Sequence, residues 1–264
     1  MTVAAFDIDN VSPIEWGEEA ASVATGAYEA LLTDLEALSP DDWDAMTVCA
    51  PWTVADMVRH LVGAAKSNAS MLETARQQLY GALHKSDFGG NALDATNDLQ
   101  VSDHHDLDAA ELTEALREVY PRAVRGRMRT PGLMRRISVS IAAGGSTADG
   151  MPTKLNIGDL MRVVYTRDIW LHRIDIARAV GREPSLDAGV DGRLISDVVK
   201  EWSDRHGQPF DLTLTGPAGG RYLRAGGGPT IELDAIEFAW ILSGRGPVDT
   251  NLAGADMLSY RVVF

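Results

Sequence analysis

Apolar residues in the first two-thirds of the chain recur at helical spacing. Over residues 12–38 they fall at Ala24, Tyr28, Leu31, Leu35 and Leu38, a stripe down one helix face that Pro40 ends. A loop through Trp43 and Cys49 leads to a marked helix start at Pro51-Trp52-Thr53-Val54-Ala55-Asp56-Met57. Thr53 is the predicted N-cap, Asp56 three residues on completes a capping box, and Trp52 is placed to staple against Met57. The pattern carries this helix to about Tyr80. Residues 82–107, richer in Gly, Asn, Asp and Ser, read as a long loop. A third helix is predicted over 108–127, broken near Pro121, and the stretch from Pro131 to Met151 is ambiguous. Asn156 caps a fourth helix that runs to about Val180 and stops at Gly181.

After Pro184 the pattern changes. A helix at 187–206 precedes strands at 210–215, 221–224 and 230–233, a short helix at 234–243 and a last strand at 260–264. The pattern predicts two units: an all-α four-helix bundle over 1–183 and a smaller α+β domain over 184–264.

Composition narrows the function classes. The chain has 264 residues, 45% hydrophobic and 23% charged, which is globular composition with room for a sizeable core. A formal charge of −14 argues against generic nucleic-acid or anionic-membrane partners. The one cysteine, Cys49, excludes a disulfide framework and any multi-cysteine metal site. The opening MTVAAFDIDN lacks the basic and apolar regions of a signal peptide, and no apolar stretch is long enough to span a bilayer. A cytoplasmic location is expected.

Among the basic residues, 20 are arginines, and Arg117, Arg122, Arg125, Arg127, Arg129, Arg135 and Arg136 crowd one segment. They read either as a carboxylate-receiving patch or as a solvated helix face.

No dinucleotide, P-loop, zincin or paired-cysteine motif is present. Gly144-Gly145-Ser146-Thr147-Ala148 approaches a nucleophile elbow but lacks its final glycine and a preceding strand. The chemistry sits instead in the fourth helix, where an inward stripe of Leu160, Met161 and Val164 continues through Asp168, His172 and Asp175. Charges on a core stripe need partners. Asp168 and His172, at i,i+4, share one face about 6 Å apart and can grip one ion. His60 interrupts the second helix's stripe between Met57 and Ala64, and antiparallel helices can bring it to that pair. Two imidazoles and a carboxylate match the ligand count of a catalytic zinc site and of some iron sites. The alternative reading is hydrogen-bonded core histidines.

These segments resemble a known family. Residues 43–61, from Trp43 through Cys49-Ala50-Pro51-Trp52-Thr53 to His60-Leu61, are similar to the N-terminal signature of the mycothiol-dependent maleylpyruvate isomerase family. Residues 167–181, which contain Arg167-Asp168 and His172-Arg173-Ile174-Asp175, resemble its second signature, and Phe238-Ala239-Trp240-Ile241-Leu242-Ser243-Gly244-Arg245 resembles its later domain. The resemblance implies a DinB-like metal-binding bundle and His60, Asp168 and His172 as ligands, commonly of zinc, with nickel or iron as other candidates. It also implies mycothiol as thiol cosubstrate, with a metal-held thiolate attacking a small electrophilic or anionic substrate. Cis–trans isomerisation of an activated double bond and thiol S-transfer both follow from that chemistry. The family's isomerase pattern carries Glu where this chain has Asp168, one methylene shorter, which leaves the substrate open.

Further expectations attach to single residues. Asp175 orients a ligand or joins two helices. Arg245 binds a substrate carboxylate or enolate, or caps the carbonyls of its own helix. Cys49, with no charge partner evident in sequence, reads as a buried hydrophobe. His104 and His105 read as surface-loop residues, and His84 and His206 carry no signal. Two other functions stay open: metal-assisted hydrolysis, and a non-catalytic ligand-binding module on the same fold. Oligomeric state is not legible.

Overall fold

The computed structural model describes residues 5–140 and 150–264, so the near-match to a nucleophile elbow at 144–148 lies outside the described residues. The molecule is mostly helical, with a smaller sheet-containing C-terminal region. Helix α1 (Glu18–Glu36) buries Ala24, Tyr28, Leu31 and Leu35 as their spacing predicts, although residues 11–17 are not helical. Helix α2 (Val54–Ala69) starts at the expected capping box, with Asp56 N–H donating to Thr53 Oγ1 and Thr53 N–H to Asp56 Oδ2, both at 3.2 Å.

The helix expected to reach Tyr80 is two helices. Ser70 turns extended, and its hydroxyl accepts the Glu73 N–H at 3.3 Å to begin α3 (Met71–His84). The expected loop at 82–107 contains α4 (Ala92–Ser102), capped by Asn91. Its buried face is Ala95, Thr96, Leu99 and Gln100, too polar to show as an apolar stripe.

Helix α5 (Ala109–Met128) runs unbroken through Pro121. Buried Leu116, Val119, Ala123 and Val124 flank the proline, and their packing outweighs the roughly 3 kcal/mol an interior proline costs. The ambiguous stretch supplies a short helix, α6 (Gly132–Arg135), and strand β2 (Ser138–Ser140), antiparallel to β3 (Lys154–Asn156).

Asn156 caps the next helical run as expected, accepting the Asp159 N–H at 2.7 Å. The run is not uniform: α7 (Ile157–Asp159) passes through a wide π turn at Leu160–Val164 into α8 (Tyr165–Ala179). That turn inserts a residue and rotates the helix, so Val163 and Val164 are buried while Leu160 and Met161 are only partly so. Helices α1, α2, α5 and α8 pack against one another around Leu31, Met57, Leu61, Leu116 and Ile169.

Helix α9 (Val190–His206) then leads to β4 (Phe210–Thr215), β5 (Gly220–Arg224), β6 (Thr230–Asp234) and α10 (Ala235–Leu242). An unpredicted strand, β1 (Ala5–Asp7), completes the sheet in the order β1-β5-β4-β6, parallel to β5. Residues 260–264 form no strand. Val262 is buried, and its N–H donates to the Leu242 carbonyl at 3.1 Å, so this apolar tail plugs the core beside α10.

Helix α8 faces two cores at once: Ile169 and Ile176 join the helical one, while Trp170, Leu171 and Ile174 join Trp202, Phe210 and Phe238 below the sheet. Buried charges fix it in place. Arg167 donates to Asp197 at 2.6 Å and Glu201 at 2.7 Å, and Arg173 reaches Asp34 at 2.5 Å and Asp191 at 3.1 Å. Among the described residues, no helix is long and apolar enough to cross a membrane.

Candidate metal centre

The capping box sets the start of α2, and His60 follows two turns later with its ring centroid 5.0 Å from that of Trp52. Across the helical core, α8 presents Asp168 and His172 one turn apart. His60 Nε2 lies 3.8 Å from Asp168 Oδ2, and His172 Nε2 lies 3.3 Å from Asp168 Oδ1. The two imidazoles meet edge to face, with centroids 5.5 Å apart. The three residues expected to act together are therefore brought together. Both histidines are buried, and 26% of the Asp168 side chain stays accessible.

The spacing is compatible with donors around one ion. A charged histidine–carboxylate hydrogen bond closes to about 2.7–2.9 Å, shorter than either distance here. Ligands about 2.0–2.1 Å from a tetrahedral cation stand roughly 3.3–3.5 Å from one another. The ligand atoms of His60, Asp168 and His172 all lie within 4.8 Å of one another. Two nitrogens and one oxygen are a donor set that suits zinc and leaves a coordination position open.

The electrostatics agree. Burial alone raises the Asp168 carboxyl, but His172 and His60 beside it prevail and hold it well below the usual carboxylate range. Burial alone lowers His172, and Asp168, Asp175 and Cys49 together lift it well above an ordinary histidine. The site thus concentrates negative potential on the His172 imidazole.

Behind His172 stands a second layer. Its Nδ1 is 2.9 Å from Asp175 Oδ2, and Arg245 donates Nε to Oδ1 and Nη2 to Oδ2, each at 3.0 Å. With Nδ1–H held by Asp175, Nε2 is the nitrogen that would give up its proton to a metal, and it faces Asp168 and His60. His60 lacks such a partner: its buried Nδ1 has no hydrogen bond among the described residues, and Trp52 packs its ring instead.

Cys49 belongs to this layer. Its Sγ is 3.8 Å from both Asp175 Oδ2 and Arg245 Nη2, so the charge partners absent from its sequence neighbourhood arrive from α8 and from beyond α10. Cys49, His172 and Asp175 also have ligand-type atoms close together. That trio reads as a hydrogen-bonded network, because a guanidinium already occupies both Asp175 oxygens. No arginine or lysine pairs with Asp168 among the described residues.

Other expected positions fall elsewhere. His104 is buried rather than on a surface loop, its Nδ1 2.7 Å from the Gln100 carbonyl and its Nε2 2.7 Å from Lys66 Nζ. The end of α4 folds it against α2. His105 is exposed. In the arginine cluster, Arg122, Arg125, Arg129 and Arg136 are solvated, whereas Arg127 is 1% exposed. A groove of about 850 Å³ lined by Trp16, Arg135, Arg136 and Arg162 shares no residue with the histidine site.

Comparison with known proteins gives the family and the fold. Residues 24–177, more than half of the chain, match the family described as Mycothiol maleylpyruvate isomerase N-terminal domain. The fold is similar to the crystal structure of a mycothiol-dependent maleylpyruvate isomerase, with a TM-score of 0.51 and 14% identity over 91% of this chain and 92% of that one. A histidine-to-alanine mutant of an enzyme of that name matches with the same TM-score and coverage at 13% identity. No curated protein sequence matches significantly.

Proposed function

The chain belongs to the mycothiol maleylpyruvate isomerase family through its N-terminal domain, and from that premise we propose that it is a metal- and thiol-dependent enzyme acting on a small electrophile. The observation that carries the reading is the convergence of His60, Asp168 and His172 from two helices at ion-coordinating separations. Helices α1, α2, α5 and α8 are read as a DinB-like four-helix bundle, 184–264 as a second α+β unit, and zinc as the metal that best suits the donors.

Bound there, a divalent cation would supply Lewis acidity that favours the thiolate form of a thiol, whose free pKa is about 8.5. His60 and His172 hold it through Nε2 and Asp168 through its carboxylate. Asp175 accepts from Nδ1 of His172, and Arg245 holds the Asp175 carboxylate in place. Trp52 shields the His60 edge from water. Asp175 takes Nε and Nη2 of Arg245, which leaves Nη1 to meet a carboxylate or enolate oxygen of the substrate. With mycothiol as the thiol, addition to an activated double bond and re-expulsion gives isomerisation of a maleylpyruvate-like substrate. Displacement of a leaving group gives S-transfer. Asp168 sits one methylene further back than the family's glutamate, leaving a slightly wider site.

The test is turnover of conjugated cis-enoic acids and of alkylating electrophiles by zinc-loaded protein, with and without mycothiol. Turnover that requires thiol and is lost in His60→Ala supports the reading. Turnover without thiol, or undiminished in His60→Ala, overturns it.

A further inference from the structure

Helix α3 is amphipathic in the opposite sense to a monomer's surface helix. Its inward face is polar and small. Gln77 donates to the Gly63 carbonyl at 3.0 Å and accepts from Gln100 Nε2 at 2.7 Å, while Gly81 allows α4 to approach through Ala92 and Thr96. Its outward face is apolar. Met71 is 84% exposed, Leu72 83%, Leu79 61% and Leu83 68%, with exposed Ala75 and Ala82 between them and Leu93 of α4, 60% exposed, nearby in the α3–α4 layer. At 100° per residue these α3 positions span a single face about 120° wide. A continuous apolar stripe of this length is uncommon on the surface of a monomer.

Its order along the helix identifies what covers it. Positions 71 and 83, 72 and 82, and 75 and 79 lie at equal distances on either side of Gln77. A second α3 crossing antiparallel therefore sets Met71 against Leu83, Leu72 against Ala82 and Ala75 against Leu79. In two of these three pairs a leucine fits over an alanine, which lets the ridges interlock. This is the self-complementarity a two-fold interface requires. Charge favours the same partner. The chain carries −14 overall, yet the charged pair on α3, Glu73 and Arg76, neutralises itself through bonds of 2.9 and 2.7 Å. An equally acidic copy meets least repulsion here. Covering the exposed side chains of the stripe and of Leu93 would remove several hundred Å² per partner, toward the roughly 800 Å² of a stable interface.

We propose that two copies of this chain associate through antiparallel α3 helices about a two-fold axis that crosses their outward faces at the level of Gln77. The inference does not depend on the metal reading, since α3 contributes no residue to the histidine site.

Sedimentation velocity on the full chain tests it. The wild type is expected at twice the monomer mass of 28.5 kDa, and Leu79→Glu, a change at an exposed position, at the monomer mass with unchanged circular dichroism. The double variants Ala75→Glu/Leu79→Glu and Ala75→Lys/Leu79→Lys should each be monomeric and should form a heterodimer when mixed, because position 75 faces position 79 of the other copy. A monomeric wild type at high concentration, a dimer that survives Leu79→Glu, or charge variants that fail to pair would overturn the proposal. A monomer that co-floats with phosphatidylcholine vesicles would also overturn it and assign the stripe to a lipid surface.

Discussion

His172 Nδ1 lies 2.9 Å from Asp175 Oδ2, and Arg245 grips both oxygens of that carboxylate at 3.0 Å. The chain Arg245–Asp175–His172 links the end of α10 to the middle of α8 and fixes which imidazole nitrogen faces the proposed metal.

Asp175→Asn keeps the shape of this link and removes its charge. Metal affinity, measured by competition with a chromogenic chelator, should fall by about 10- to 100-fold. Arg245→Met leaves Asp175 buried without its cation, so the melting temperature should drop even in chelator-treated protein. An unchanged melting temperature would assign Arg245 to substrate alone.

Arg127 and Arg167 are both fully buried, yet their replacement should have opposite effects. Arg167 pairs with Asp197 and Glu201, and Arg167→Met should cost about 3–5 kcal/mol by stranding a buried carboxylate. Arg127 bonds only Thr166, at 2.6 Å, and its Nε and Nη1 are unpaired among the described residues. Burial pushes its guanidinium below the ordinary arginine value. Arg127→Met should therefore leave the melting temperature unchanged or raise it. Thermal melts of the two variants side by side decide this.

Helix α5 passes α2 at Gly126, where an added Cβ would stand 2.0 Å from the Asn68 carbonyl oxygen. Alanine is the better helix former by about 1 kcal/mol, but the clash should reverse the sign. Gly126→Ala should lower the melting temperature and, by pushing away the helix that carries His60, weaken metal binding.

Stability should vary with pH through His206. Its Nδ1 accepts the Gln208 N–H at 3.0 Å, and the ring packs on Trp202 with centroids 4.3 Å apart. Burial first, and then Arg224, push its pKa down to about 4. A histidine that is neutral in the fold and ordinary when unfolded gives the unfolded state more protons between about pH 6.5 and 4. Its contribution is complete above that window and lost as pH falls through it. In urea melts across this range, His206→Gln should flatten the slope.

What the sequence revealed depended on how local the signal was. His60, Asp168 and His172 were legible because each interrupts an otherwise apolar helical stripe, and Thr53 and Asn156 because their caps involve residues three apart. Cys49 was not, since its partners Asp175 and Arg245 are more than a hundred positions away. The α3–α4 layer leaves no inward apolar stripe in the sequence because it buries Gln77, Thr96 and Gln100. Strand β1 is three residues long, and the tail at 260–264 has the β-branched and aromatic composition of a strand while serving as a core plug.

The central claim is that His60, Asp168 and His172 hold a catalytic cation, and metal content tests it most directly. Inductively coupled plasma mass spectrometry should find close to one equivalent of zinc in tag-free wild-type protein, and almost none in folded His172→Ala. Wild-type protein that stays metal-free after expression in zinc-, nickel- and iron-supplemented medium would contradict the account, as would a variant that keeps its metal.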